Sequence, residues 1–138
     1  MKYIDVEGLV LPNEALTDSD LNDAAKKLKI SNFRGSFLRD KLPSKPRAHE
    51  CGILNIGDNN IGGTHWICWY KAGKTKLCFD SYGLHPPIEL TSYLKRPVYY
   101  NSERIQFGNT EFCGHLCLYV LKKLNDGYHF QDIINSLW

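Results

Sequence analysis

Four side chains set a chemistry before any fold is considered: His65, Asp80, Gln106 and Cys113. A thiol becomes a strong nucleophile as the thiolate, most readily beside an imidazole that a carboxylate holds in place. An amide N–H is a suitable donor to the oxyanion that forms when such a nucleophile attacks a carbonyl. The set therefore suits acyl transfer through cysteine. Each member alone has a plainer reading. Cys113 could be an inert buried thiol, His65 a packed ring, Asp80 a turn residue and Gln106 a polar residue on an extended piece. What raises Cys113 above that is its place at the start of a helical pattern, where the positive end of the helix favours thiolate. Gly114, next in the chain, leaves room for a substrate backbone to approach.

The elements that must position these groups can be read from pattern. Residues 64–70 are aromatic and β-prone, Ala72-Gly73-Lys74 reads as a hairpin turn, and residues 75–80 return as a second strand. His65 and Asp80 would then flank the open end of one hairpin. Residues 66–79 between them suffice for two strands and a tight turn. Residues 51–56 form a further apolar strand, followed by a turn over 57–63. Residues 113–124 carry Leu116, Val120, Leu121 and Leu124 on one helical face, and Asn125-Asp126-Gly127 ends that helix. Residues 16–30 predict a first helix, with Thr17 or Ser19 as cap, acids in its first turn and lysines at its end. Short helices are expected over 87–94 and 130–138, extended pieces over 97–101 and 104–107, and a loop over 32–49, where Gly35, Pro43 and Pro46 interrupt the pattern. Helix, strands, then helix is the order of an α+β fold.

Composition narrows the class. The chain has 138 residues, the size of one domain, with 43% hydrophobic residues. It has no apolar run long enough for a transmembrane helix and no basic-then-apolar start of a signal peptide. Five cysteines, an odd number, favour a reducing compartment over a disulfide framework. The net charge of +2 names no partner, although basic residues gather between Lys26 and Arg47, as a solvated face or a contact for an acidic partner. Cys113-x-His115-x-Cys117 is poorly placed for zinc on a helix, because His115 is turned about 200° from Cys113. No cofactor is expected. Cys51, Cys68, Cys78 and Cys117 read as core residues, and His49, His85, His115 and His129 as surface or packing residues.

Taken in order, the segments Gly62-Gly63-Thr64-His65-Trp66 and Phe79-Asp80-Ser81-Tyr82-Gly83, then Gln106, then Cys113-Gly114-His115-Leu116-Cys117, resemble adenain, the adenovirus maturation protease. The order histidine, acid, glutamine, cysteine is shared by its wider clan, which includes the SUMO proteases. Residues 16–30 with Phe33-Arg34-Gly35-Ser36-Phe37 look like the family's N-terminal helix and loop, and the likeness runs from about Leu16 to Leu124. The resemblance implies a papain-like or adenain-like α+β fold, with a mixed, mainly antiparallel sheet packed against the helix that carries the nucleophile, in one domain over 1–138. It implies Cys113 as nucleophile, His65 as general base and acid, Asp80 as the orienting carboxylate where adenain has glutamate, and Gln106 with the Cys113 backbone N–H as oxyanion donors. Gly63, Trp66 and Gly114 are the implied substrate-binding residues.

By the same resemblance the function expected is a cysteine endopeptidase that cleaves viral capsid or core precursor proteins after glycine, at Gly-Gly or Gly-X-Gly sites, during virion maturation. Its substrates would be viral structural precursors. It would act as a monomer, away from membranes, in a reducing intracellular compartment and in the virion. Adenain is activated by a disulfide-linked peptide and by DNA. Here no cysteine lies between Cys78 and Cys113, and only 25 residues follow Cys113, which reduces the C-terminal part to a short segment. Two other readings use the same residues: an isopeptidase that removes SUMO or ubiquitin-like modifiers, and a binding module that kept the fold without catalysis.

Overall fold

The computed structural model describes residues 3–57, 65–105 and 112–137. A central five-stranded sheet has the order β3-β4-β5-β6-β7, formed by β3 (Phe33–Leu38), β4 (His49–Asn55), β5 (Trp66–Ala72), β6 (Thr75–Phe79) and β7 (Tyr99–Tyr100). The long pairings, β4 with β5 and β5 with β6, are antiparallel, and the short outer pairings, β3 with β4 and β6 with β7, are parallel. The sheet is thus mixed, and the fold is α+β.

Strict alternation along β4, β5 and β6 divides the sheet between two cores. Cys51, Ile53, Trp66, Cys68 and Phe79 face α1 (Asp18–Lys27) and α3 (Cys113–Asn125). Leu54, Ile67, Trp69 and Cys78 face Leu90 and Leu94 of α2 (Ile88–Leu94). Both faces are buried, which explains why these strands read as near-continuous apolar runs. Helix α4 (Phe130–Leu137) adds Ile133 and Ile134 to the first core. No helix among the described residues is long and apolar enough to cross a membrane.

Helix α1 starts where its cap dictates. Thr17 accepts from the Asp20 backbone N–H at 3.1 Å, and the Asp20 carboxylate accepts from the Thr17 N–H at 3.0 Å. This reciprocal pair satisfies two donors that the helix itself leaves open. Two features depart from the expected elements. The segment 32–49 is not all loop, because β3 lies within it. Gly35, read as a breaker, sits inside the strand at φ +130°, where the register against β4 shifts between Phe33 and Ser36. It marks a bulge rather than an end. The chain also begins with a hairpin absent from the expected elements, β1 (Tyr3–Val6) and β2 (Leu9–Pro12). Its turn residues Glu7 and Gly8 both have positive φ, 50° and 89°, as a two-residue turn of type I′ requires. The hairpin lies on α3, tied by His115 Nε2 to the Pro12 carbonyl at 2.7 Å and by Lys123 to Glu7 at 2.8 Å.

Under the sheet, Glu50 is 2% exposed and saturated with donors. Its carboxylate accepts from the Arg47 backbone N–H (2.7 Å), Trp69 Nε1 (2.8 Å), the Tyr93 hydroxyl (2.8 Å) and the Arg34 guanidinium (3.1 Å). Burial works against the charge, but these donors outweigh it and hold the carboxyl below its ordinary value. One side chain thereby joins β3, β4, β5 and α2.

Candidate active site

The β5–β6 hairpin turns at Gly73-Lys74, with Ala72 paired to Thr75, and Gly73 has φ +60°. His65 immediately precedes β5 and Asp80 immediately follows β6, so both emerge at the hairpin's open end. His65 Nε2 and Asp80 Oδ1 are 2.7 Å apart, with side chains 12% and 5% exposed.

The acid is held from several directions. Oδ1 of Asp80 also accepts from the Tyr82 backbone N–H at 2.8 Å. The Asp80 backbone is clamped by Asn101, whose Oδ1 accepts from the Asp80 N–H at 3.0 Å and whose Nδ2 donates to the Asp80 carbonyl at 2.7 Å. Gly83 closes this turn at φ +68°, and a Cβ there would lie 2.6 Å from the Ser102 carbonyl oxygen. Only glycine suits both the angle and the approach. Neither Asn101 nor Tyr82 stands out in the sequence as a site residue. Asn101 is one polar residue after two tyrosines, and its partner is the backbone of a residue far away in the chain.

Cys113 is the first residue of α3 and is 5% exposed. Its Sγ accepts a hydrogen bond from the Trp66 backbone N–H at 3.3 Å. Trp66 follows His65 directly, so this contact brings the sulfur to the start of β5 beside the imidazole. With Nε2 engaged by Asp80, Nδ1 is the ring nitrogen left to face the sulfur. It is buried and has no hydrogen bond of strict geometry among the described residues. Burial opposes charge on the ring. The hydrogen bond and charge of Asp80, together with the Cys113 side chain, overcome that opposition and push the imidazole from 6.5 to about 9. An imidazolium beside a cysteine sulfur is the arrangement that activates a thiol nucleophile. Helix α3 opens without a side-chain cap or an acid in its first turn, which leaves its positive end toward this site.

The chain has five cysteines. None of the five, all within the described residues, forms a disulfide. Burial pushes the Cys51 thiol up to about 12, and burial also drives Cys78 and Cys117 well above the ordinary value. These three are packing groups.

Of the other expected site residues, Trp66 is 9% exposed, and its Nε1 donates to the Leu16 carbonyl at 3.0 Å. It lines a cleft of about 560 Å³ together with Leu16, Thr17, Phe37, Leu38 and Asn55. Gly114 is buried against α1: a Cβ there would lie 3.2 Å from Leu21 and 3.5 Å from Leu16. Glycine at this position serves the close packing of α3 on α1, and the space expected for substrate is filled. Gly63 and Gln106 lie outside the described residues. Among the described residues no group of three or more His, Cys, Asp or Glu could hold a metal ion.

No family model matches the chain, and no curated protein matches it. Solved structures do. The ASFV pS273R protease superposes with a TM-score of 0.65 at 16% identity over 91% of this chain. The fold is shared with a protease. The selenomethionine structure of that protein gives a TM-score of 0.64 at 15% identity, again over 91% of this chain. The chain spans 62% and 63% of the length of these two neighbours. At this identity the likeness is one of fold.

Proposed function

We propose that the chain is a cysteine endopeptidase with Cys113 as nucleophile, His65 as acid and base, and Asp80 as the carboxylate that orients the ring. The observation that carries this is the 2.7 Å His65–Asp80 contact at the hairpin's open end, with Cys113 Sγ 3.3 Å from the next backbone N–H. The sulfur attacks the scissile carbonyl, and the imidazolium proton passes to the departing amine. Water, deprotonated by the same ring, then releases the acid and restores the thiol. Oxyanion donors come from the N–H groups at the start of α3 and from Gln106. The cleft beside Trp66 and Leu16 is the substrate-binding groove on this reading.

Substrates on this reading are viral structural precursors cleaved after glycine, at Gly-Gly or Gly-X-Gly. The sequence resemblance to adenain and the fold shared with an ASFV protease support it. The test has two stages. A thiol-directed probe should label Cys113 in the parent protein and fail to label it in His65→Ala. Peptides tiled across the encoding genome's structural proteins should then be cut after glycine, and Cys113→Ala should cut none. Unchanged cleavage by Cys113→Ala would sink the reading. Turnover of SUMO or ubiquitin conjugates without cleavage of any precursor would replace the substrate class with that of a deconjugase.

A further inference from the structure

The ring of Tyr82 lies flat against the imidazole of His65, with centroids 4.1 Å apart and planes 7° from parallel. The Arg104 guanidinium carbon lies over the same phenol ring, 5.3 Å from its centre. The Tyr82 backbone N–H, at 2.8 Å, donates to Asp80 Oδ1, the oxygen that also bonds His65. One residue therefore touches both members of the pair, the carboxylate through its backbone and the imidazole through its ring.

Two hydrogen-bonding atoms cannot by themselves fix an imidazole. A ring anchored at Nε2 can still tilt about that bond, and each tilt swings Nδ1 away from the sulfur. A parallel ring at van der Waals distance removes this freedom. An aromatic face also favours a cation stacked on it over the neutral ring. We propose that Tyr82 is a positioning residue for His65, fixing the plane of the imidazole and favouring its charged form while its backbone orients Asp80. The proposal rests on the protease reading for its purpose, and on the stacking geometry for its substance. The groups that set the charge on His65 are Asp80 at Nε2, Cys113 on the Nδ1 side, the phenol of Tyr82 on its face and Arg104 across that phenol. The ring and the backbone N–H make the contacts, so phenylalanine preserves them.

The test compares Tyr82→Phe, Tyr82→Leu and Tyr82→Ala in the full chain by two measurements: NMR titration of the His65 ring nitrogens, and peptide turnover. Tyr82→Phe should titrate like the parent and keep its kcat. Tyr82→Leu, which fills the space without a π face, should move the His65 midpoint to lower pH. It should also lower kcat roughly tenfold with KM little changed, the size one such ring contact can supply. Tyr82→Ala should do the same or more, and the leucine variant decides the matter if the alanine variant does not fold. A leucine variant that titrates and turns over like the parent overturns the proposal, as does a phenylalanine variant that behaves like leucine. The two readings fail separately. A parent that cuts no peptide while its His65 still responds to Tyr82→Leu counts against the protease alone.

Discussion

Two buried carboxylates sit at different places on the same sheet and are treated in opposite ways. Glu50, within β4, accepts from four donors on four parts of the chain, and every partner is a fixed structural group. Asp80, just past β6, is held as firmly through its backbone, by Asn101 and the turn at Gly83. Its side chain, however, points to an imidazole whose second nitrogen is buried without a hydrogen bond of strict geometry. A saturated buried charge rigidifies a fold, whereas a network with one position left over can pass a proton. The difference lies in what stands next in line: Trp69, Tyr93 and Arg34 on one side, a sulfur at the start of a helix on the other.

Breaking each network should therefore damage different quantities. The largest effect is expected from Asp80→Asn, which leaves the shape of the hairpin intact while removing the charge that holds His65. Peptide turnover should fall by about 10⁴-fold, as loss of an orienting carboxylate does elsewhere, with a loss of only about 1 kcal/mol in urea denaturation. Glu50→Ala should do the reverse. It strands the Arg34 charge and three further donors, and should cost about 3–5 kcal/mol in urea denaturation, while kcat per folded molecule stays at the parent value. If Glu50→Ala lowered kcat of the folded protein as far as Asp80→Asn, the division between the two networks would be lost. A smaller loss is expected from Gly52→Ala. The added Cβ would lie 2.4 Å from Trp69 Cη2, forcing aside the ring that bonds Glu50. The strain should amount to about 1–3 kcal/mol, again without change in kcat.

The pairing of His65 with Asp80 was legible in the sequence and the Glu50 network was not, for a physical reason. His65 and Asp80 are joined by a hairpin, so turn chemistry and strand length alone placed them together. The helix carrying Cys113 is strongly periodic, and the Thr17 cap of α1 is a local signal. The Glu50 network is assembled from positions 34, 47, 69 and 93, and no local pattern links them. Strand β3 was hidden because its glycine is a bulge, and it exists only because the edge of β4 accepts it beneath α1. Tyr82 was visible as part of a motif, but nothing in its type told that its ring lies on His65.

The finest separation comes from pH. His65 rises from 6.5 in the unfolded chain to about 9 in the fold. Its contribution is fully present below 6.5 and is lost as pH climbs through about 9, where the folded ring gives up its proton. Glu50 is shifted the other way, held below its ordinary 4.5, so its contribution is present above 4.5 and is lost as pH falls through the lower folded value. The His65–Asp80 pair should therefore weaken the protein on the alkaline side and the Glu50 cluster on the acid side. Melting curves of the parent and of Asp80→Asn should differ most below 6.5 and converge as pH passes about 9. The difference should be a few degrees, about what 1 kcal/mol gives a domain of this size. Parent and Glu50→Gln should instead converge only on acidification. A parent–Asp80→Asn gap that stays constant through the alkaline range would mean that His65 is neutral in the folded protein. The sulfur would then have no imidazolium beside it.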